Sequence, residues 1–258
     1  METISTHADR RRDHSPGPAP ARLKGNVACV GNDLTRRPPH PFDDPAVSET
    51  YESWYTGTGV HAEELERRLL ERLLARYTCV RRVLDIGCGT GHWTRWLDNA
   101  GPAVYGVDLS RAMLREAQRM GTRRCLQADA QALPFPDKTF DLAMMVTTLE
   151  FVANPLRALE EAIRVTRKGV ILGVLNRLSL LAARRRFFGE SLWTTARCFS
   201  VRELERLARR AGGRRVRATA WRTTLWPIEA VPDLPLPWGG FIGMAVSLDG
   251  SQEEEGIA

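Results

Sequence analysis

A glycine-rich segment in the first half of the chain has the composition of a ligand-binding loop. It consists of Val83-Leu-Asp-Ile-Gly-Cys-Gly-Thr-Gly91, so an apolar run leads directly into three glycines. Glycine has no Cβ and tolerates positive φ, so such a loop can turn sharply and let a ligand lie against the backbone. Ligands of open α/β sheets bind beyond the carboxyl ends of the strands. The segment therefore predicts a binding loop between a buried strand and a helix.

Two acidic residues follow at positions that suit a nucleoside. Asp108 ends the next apolar run, roughly 20 residues beyond the loop, where a carboxylate can accept both ribose hydroxyls. Asp129 follows a third short run, where a carboxylate can accept the exocyclic amine of adenine. Each residue also has a purely structural interpretation, because Asp108 precedes a helix and Asp129 can cap a turn. We expect both side chains to contact an adenine nucleoside.

The rest of the sequence predicts the strands and helices that position these residues. Apolar runs alternate with segments of helical spacing, which favours a doubly wound α/β fold with helices on both faces of a parallel sheet. The predicted strands are about 82–86, 104–107, 124–127, 140–146, 170–175, 216–221 and 241–248. The predicted helices are about 60–77, 92–99, 110–120, 154–167 and 200–212.

The two ends of the chain differ in composition from its centre. Residues 1–45 are rich in Arg, Pro and Gly, and residues 250–258 are acidic. Neither stretch carries enough apolar surface to offset the entropy lost on ordering. We therefore expect a disordered segment at 1–45, one domain at 46–249 and a loose tail at 250–258. Within the domain, the apolar and aromatic residues of 176–199 predict a lid-like insertion.

Composition and charge exclude several classes of protein. The five cysteines form no CxxC pair, which argues against a disulfide framework and a zinc site, and we expect no metal. No run approaches the roughly 18 apolar residues of a membrane span, and no secretory signal is visible, so we expect a cytoplasmic protein. The net charge of +6 comes almost entirely from arginine. The arginines of 177–222 can form a solvated face or bind an anionic partner, although no nucleic-acid-binding module is recognisable.

Together these motifs resemble the class I S-adenosylmethionine (SAM)-dependent methyltransferases, and most closely their type 11, ubiquinone/menaquinone-biosynthesis-like group. The likeness extends over about residues 51–175 and includes Leu133-Pro-Phe-Pro-Asp137, which is typical of that group. It implies a Rossmann-like, mostly parallel sheet with an antiparallel strand near the C-terminus. It also implies SAM as the cofactor and methyl transfer as the reaction. We expect the acceptor to be a small or medium-sized organic molecule.

The resemblance implies roles for individual residues. The residues expected to bind SAM are Asp85, Gly87, Cys88, Gly89, Gly91, Asp108, Leu109, Asp129, Ala130 and Thr147. The residues expected to contact the acceptor are Trp54, Tyr55, Thr148 and Trp193. The candidates for a general base are Glu150, His92 and Tyr51. Many relatives carry histidine where this chain has Glu150 or Phe151, so the active-site chemistry stays open at this point.

Other functions are compatible with parts of the pattern. A nicotinamide-dependent oxidoreductase shares the loop and Asp108, but its fingerprint requires glycine at the position of His92 and leaves Asp129 unexplained. A non-catalytic SAM-binding protein is compatible because methyl transfer requires no obligatory side chain. The arginine-rich segment 177–222 suggests RNA or protein as an alternative acceptor. The sequence does not indicate the oligomeric state.

Overall fold

The computed structural model describes residues 41–57, 59–179, 196–225 and 233–249. Most of the predicted disordered segment, the acidic tail and the centre of the predicted insertion, including Trp193, lie outside the described residues. The expectations for those parts of the chain stay predictions.

Seven strands of the described residues form one sheet in the order β3-β2-β1-β4-β5-β7-β6. Their bounds are β1 Arg82–Ile86, β2 Ala103–Asp108, β3 Cys125–Gln127, β4 Phe140–Val146, β5 Thr166–Leu175, β6 Val216–Thr224 and β7 Phe241–Leu248. The strands from β3 to β5 are parallel, and β7 runs antiparallel to both β5 and β6. The predicted doubly wound sheet, with an antiparallel strand near the C-terminus, is confirmed.

Helices cover both faces of the sheet. Their bounds are α1 Pro45–Thr56, α2 Val60–Leu74, α3 His92–Asn99, α4 Arg111–Arg119, α5 Pro155–Val165 and α6 Val201–Gly212. Short 3-10 helices occupy Pro41–Asp43 and Gly213–Arg215. The caps follow the sequence pattern, because Ser110 and Asn154 each accept a backbone N–H of their helix, and Ser200 forms a capping box with Glu203.

The hydrophobic core lies on the two faces of the central strands. β4 and β7 are buried at every position, as expected for strands that are covered on both sides. On one face they pack with Leu69 of α2 and Trp93 of α3, and on the other with Leu159 of α5 and Leu204 of α6. Because β1 to β5 are parallel, their carboxyl ends lie at one edge of the sheet, where the predicted site residues lie.

Regular structure begins a few residues closer to the N-terminus than the composition predicts. Residues 41–45, which we expected to be disordered, form the 3-10 helix and the first position of α1. Asp44 caps α1 by accepting the N–H of Ala46 at 2.9 Å, and the ring of Phe42 packs edge-on against Phe151 with centroids 4.9 Å apart. A helix cap and the ring contacts of Phe42 with Tyr51 and Phe151 therefore anchor a stretch whose polar composition indicates disorder.

The boundary between α5 and β5 also differs from the prediction. The helix expected to reach about residue 167 ends at Val165, and β5 begins directly at Thr166 rather than at residue 170. The hydroxyl of Thr166 donates to the carbonyl of Ala162 at 2.9 Å, which satisfies an acceptor of the last helical turn. No helix in the described ranges is both long and apolar enough to cross a bilayer.

Candidate functional site

The glycine loop joins β1 to α3 at the carboxyl edge of the sheet. Gly87, Gly89 and Gly91 have φ of +73°, +54° and +82°, which residues with side chains rarely adopt. A Cβ at Gly87 would collide with the side chain of Thr148, whereas a Cβ at Gly89 would meet no atom of the described residues within 4 Å. The loop is therefore tightly packed beneath Gly87 and open at Gly89, where a ligand can approach the backbone.

Asp108 lies beside the open part of this loop. One carboxylate oxygen, Oδ2, accepts the backbone N–H of Gly89 at 2.8 Å, and Oδ1 accepts the N–H of Ser110 at 2.8 Å. The loop is also joined to β2 through the carbonyl of Val107, which accepts the N–H groups of Gly87 and Cys88 at 2.7 and 3.0 Å. These bonds hold a half-buried carboxylate at the side of the loop that is open to a ligand.

Asp129 follows β3 and forms part of a turn. Its Oδ1 accepts the backbone N–H of Gln131 at 2.8 Å and the side-chain amide of the same residue at 3.1 Å. The side-chain oxygen of Gln131 in turn accepts the N–H of Asn154 at 2.9 Å. The neighbouring Ala128 donates its N–H to the carbonyl of Asp108 at 3.0 Å. Asp108 ends β2 and Asp129 follows β3, so the two predicted nucleoside acids lie at the ends of adjacent, hydrogen-bonded strands.

Three residues that were expected to contact ligands have side chains engaged inside the protein. Asp85 is 2% exposed and accepts the hydroxyl of Thr94 at 2.6 Å, and burial raises the pKa of its carboxyl to about 7. Cys88 is buried against β2, close to Gly106. The hydroxyl of Thr148 lies 3.0 Å from the carbonyl oxygen of Ile86. Because buried polar groups must be satisfied locally, these side chains support the loop from below.

The segment that precedes α2 adds a polar contact to the loop. Glu52 of α1 accepts the hydroxyl of Thr90 at 2.6 Å. The ring of Tyr55 stacks on His92 with centroids 3.6 Å apart and an interplanar angle of 5°. His92 also lies 3.3 Å from a carboxylate oxygen of Glu63, and burial lowers the pKa of its imidazole. His92 is therefore part of the contact between the N-terminal helices and the loop.

Aromatic side chains of α1 cover the same edge. The rings of Tyr51 and Tyr55 pack edge-on with centroids 6.0 Å apart, and burial raises the pKa of Tyr51 to about 12. Tyr51 also packs edge-on against Phe42 with ring centroids 5.9 Å apart, and Phe42 packs in turn against Phe151, the residue after Glu150. Trp54 packs edge-on against Tyr55 with centroids 5.0 Å apart. The helix α1 thus connects the glycine-loop side of the edge with the end of β4.

Among the described acidic residues that follow β4 in the chain, Glu150 is the most deeply buried. It is 2% exposed, and its Oε1 accepts the N–H of Leu175 at 2.7 Å, while its backbone carbonyl accepts the N–H of Arg197 at 2.9 Å. Its other oxygen, Oε2, has no hydrogen-bond partner among the described residues. Burial raises the pKa of this carboxyl to about 8. At neutral pH the carboxyl is therefore largely protonated.

Thr147, also after β4, has a strained backbone. Its φ is +51°, which is unusual for a β-branched residue, and its N–H donates to the carbonyl of Gly173 at 2.7 Å. Strain of this kind concentrates at functional sites, where the surrounding structure must enforce it. Thr147 and Glu150 are therefore the two candidate site residues that follow β4.

Sequence analysis missed α1 itself and therefore missed Glu52. The signal was present, because Asp44-Pro45 combines a preferred N-cap with proline at the first helical position. The hydrogen bond from Thr90 to Glu52 spans 38 positions of sequence, and no local pattern indicates it. In the part of the chain that the structure describes, no group of three or more His, Cys, Asp or Glu side chains is placed to hold a metal ion.

A parallel sheet with a glycine loop after β1 and acids after β2 and β3 defines a nucleoside-binding domain of the Rossmann-like class. Residues 84–174 match the family model described as a methyltransferase domain. A solved SAM-dependent methyltransferase of Thermotoga maritima, described as a possible histamine N-methyltransferase, is 30% identical, with a TM-score of 0.65 and coverage of 79% of this chain and 96% of that one. The chain therefore belongs to the class I SAM-dependent methyltransferases, within their type 11 group, and SAM is its cofactor.

Two curated relatives add context. An uncharacterized protein of Methanocaldococcus jannaschii is 29% identical over 207 residues, which cover 77% of this chain and 95% of that protein. A malonyl-[acyl-carrier protein] O-methyltransferase of Halorhodospira halophila is 40% identical over 118 residues, but the match covers only 43% of this chain and 40% of the relative. The shared region supports the methyltransferase domain and leaves the acceptor unidentified.

Proposed function

We propose that this methyltransferase acts on a small or medium-sized organic molecule, bound at the carboxyl edge between α1 and the residues that follow β4 and β5. The observation that supports this most directly is the packing of Phe42, whose ring contacts Tyr51 of α1 and Phe151 after β4 and whose carbonyl accepts the hydroxyl of Ser110 after β2 at 2.6 Å. Aromatic side chains of the N-terminal residues therefore cover the edge, from the residues after β2 to those after β4. Enclosed sites with aromatic walls and few polar groups are typical of small-molecule binding.

For the cofactor, we propose the following arrangement. Gly87, Gly89 and Gly91 hold the methionine end, and Asp108 binds the ribose hydroxyls, because the open side of Gly89 adjoins this carboxylate. The proposed adenine contacts are Leu109, Asp129 and Ala130. Asp85 and Cys88 act indirectly, by supporting the loop. SAM supplies an activated methyl group on a positively charged sulfonium, so the protein's main task is to orient the two reactants.

For the acceptor, we propose that Glu150 is the residue that exchanges a proton. Its Oε2 can donate a hydrogen bond while the carboxyl is protonated, and it can accept a proton from an acceptor O–H or N–H once ionised, above a pKa of about 8. Tyr51, with a pKa of about 12, stays protonated and can orient the acceptor. His92 is better placed to hold α1 than to act as a base, because it stacks on Tyr55.

The test is methyl transfer from radiolabelled SAM to a panel of small amines, phenols and carboxylic acids, with total RNA and a denatured protein mixture as competing acceptors. The relatives named above point to different acceptor atoms, so the panel must include both nitrogen and oxygen nucleophiles. We expect transfer to a small molecule and its loss in Glu150→Gln. Exclusive labelling of RNA or protein would contradict the small-molecule proposal. Binding of SAM without transfer to any class of acceptor would favour a non-catalytic role.

A further inference from the structure

One carboxylate joins α1 to the last turn of the glycine loop. Oε1 of Glu52 accepts the hydroxyl of Thr90 at 2.6 Å and Nη2 of Arg95 at 2.9 Å. The other guanidinium nitrogen of Arg95, Nη1, donates to the carbonyl of Thr90 at 2.7 Å. The side chains of Glu52 and Arg95 are only 16% and 23% exposed. Charge-assisted hydrogen bonds that are this well shielded are stronger than those of surface ion pairs.

The residues on the loop side of this contact have little freedom to move. Gly91 lies next to Thr90 with φ of +82°, and a Cβ at Gly91 would collide with the side chain of Thr122. Nη1 of Arg95 lies 3.3 Å from the hydroxyl of the same Thr122. Glu52 is therefore bonded to a rigid part of the loop, one residue after the open position at Gly89.

On the helix side, Glu52 lies beside the aromatic residues that cover the edge. Tyr51 precedes it directly, and Tyr55 follows one turn later and stacks on His92, the first residue of α3. Oε2 of Glu52 is 3.9 Å from Nδ1 of the same imidazole. A shift of α1 away from the loop must break the Glu52 bonds and the stacking contact together.

We propose that Glu52 is a positioning residue, which couples the closed position of α1 to the conformation of the glycine loop that binds the cofactor. This inference rests on the cofactor site proposed above. While the Glu52 bonds persist, Tyr51 and Tyr55 stay over the edge and the cofactor is retained. Release of the cofactor requires α1 to move, so the Glu52 bonds slow its dissociation.

The test compares Glu52→Ala with Glu49→Ala, because Glu49 lies on the same helix and is exposed. The first readout is the dissociation rate of S-adenosylhomocysteine (SAH), followed by stopped-flow tryptophan fluorescence. The second is hydrogen–deuterium exchange of residues 45–56 without ligand. For Glu52→Ala we expect dissociation to become at least about tenfold faster, because two charge-assisted bonds are lost, and α1 to exchange faster. Glu49→Ala is expected to stay within about twofold of the unaltered protein in both readouts.

A second pair of variants keeps the test decisive if Glu52→Ala fails to fold. Glu52→Gln retains the size of the side chain, and Arg95→Lys retains the charge but loses the fork that contacts both Glu52 and Thr90. Faster dissociation of SAH at an unchanged melting temperature in either variant supports coupling, since a merely structural role would lower the melting temperature as well. Unchanged dissociation and unchanged α1 exchange in folded variants would overturn the inference. If the unaltered protein binds no SAH, the proposed cofactor site fails, and the exchange of α1 still decides whether Glu52 holds the helix.

Discussion

The two halves of the carboxyl edge are built differently. After β1 and β2, the loops are short and their polar groups are bonded to neighbouring backbone, as Asp108 is to Gly89 and Ser110. After β4 and β5, the edge contains a strained Thr147 and a buried Glu150 with one oxygen that has no hydrogen-bond partner among the described residues. The first half is bonded to its own strands and, through Glu52, to α1, whereas the carbonyl of Glu150 in the second half accepts the N–H of Arg197, which is distant in sequence. The first half is the proposed cofactor site, and the second is the proposed acceptor site.

The largest expected effect concerns Asp108, in the first half. Asp108→Asn removes the charge from the proposed acceptor of two ribose hydroxyls, each bond of which contributes about 1.5–3 kcal/mol. We expect the dissociation constant of SAH to rise on the order of 100-fold, with a folded protein. Calorimetric titration measures this change. Asp249→Asn, at the exposed end of β7, is the matched control and should bind as the unaltered protein does. An unchanged dissociation constant in folded Asp108→Asn would refute the ribose role.

The next effect distinguishes support of the loop from contact with the ligand. Gly87→Ala combines a positive φ with a collision against Thr148, so we expect the free energy of unfolding to fall by about 1–3 kcal/mol. Gly89→Ala also has a positive φ but meets no neighbour among the described residues, so it should lose less stability and more SAH affinity. Urea unfolding and calorimetry of both variants provide the comparison. Equal losses of affinity at equal stability would mean that the two glycines have the same role.

A smaller effect tests the buried acid of the second half. The pKa of Glu150 is about 8 in the folded protein and about 4.5 when unfolded, so between these values the folded state binds more protons. The contribution of the protonated carboxyl to the free energy of unfolding is therefore fully present at low pH and is lost as the pH rises toward 8. Between pH 6 and pH 7, the unaltered protein should lose about 1.4 kcal/mol relative to Glu150→Gln. Urea unfolding at the two pH values measures the difference, and parallel behaviour of the two proteins would show that the carboxyl is not held neutral.

Most of the fold could be predicted from sequence because its signals are local. The strand pattern gave β1, β4 and β7 at their observed bounds, and the capping residues Ser110 and Ser200 marked helix starts correctly. The glycine loop was recognisable because its positive φ angles favour glycine. The two acids were recognisable because each lies at the end of a predicted strand. Glu52 and the inward direction of Thr148 were not predictable, since both depend on segments distant in sequence. The start of α1 is polar and flanked by proline, like the segment before it, so its composition did not indicate a helix.

We propose that the cofactor occupies the first half of the edge and that α1 closes over it. Hydrogen–deuterium exchange of the full chain, with and without saturating SAH, tests this most directly. We expect protection in peptides that contain residues 87–91, 108–110 and 129–131, together with α1, and unchanged exchange in α6 and β6. Protection confined to the residues after β4 and β5, or no protection in the glycine loop at saturating SAH, would contradict the account.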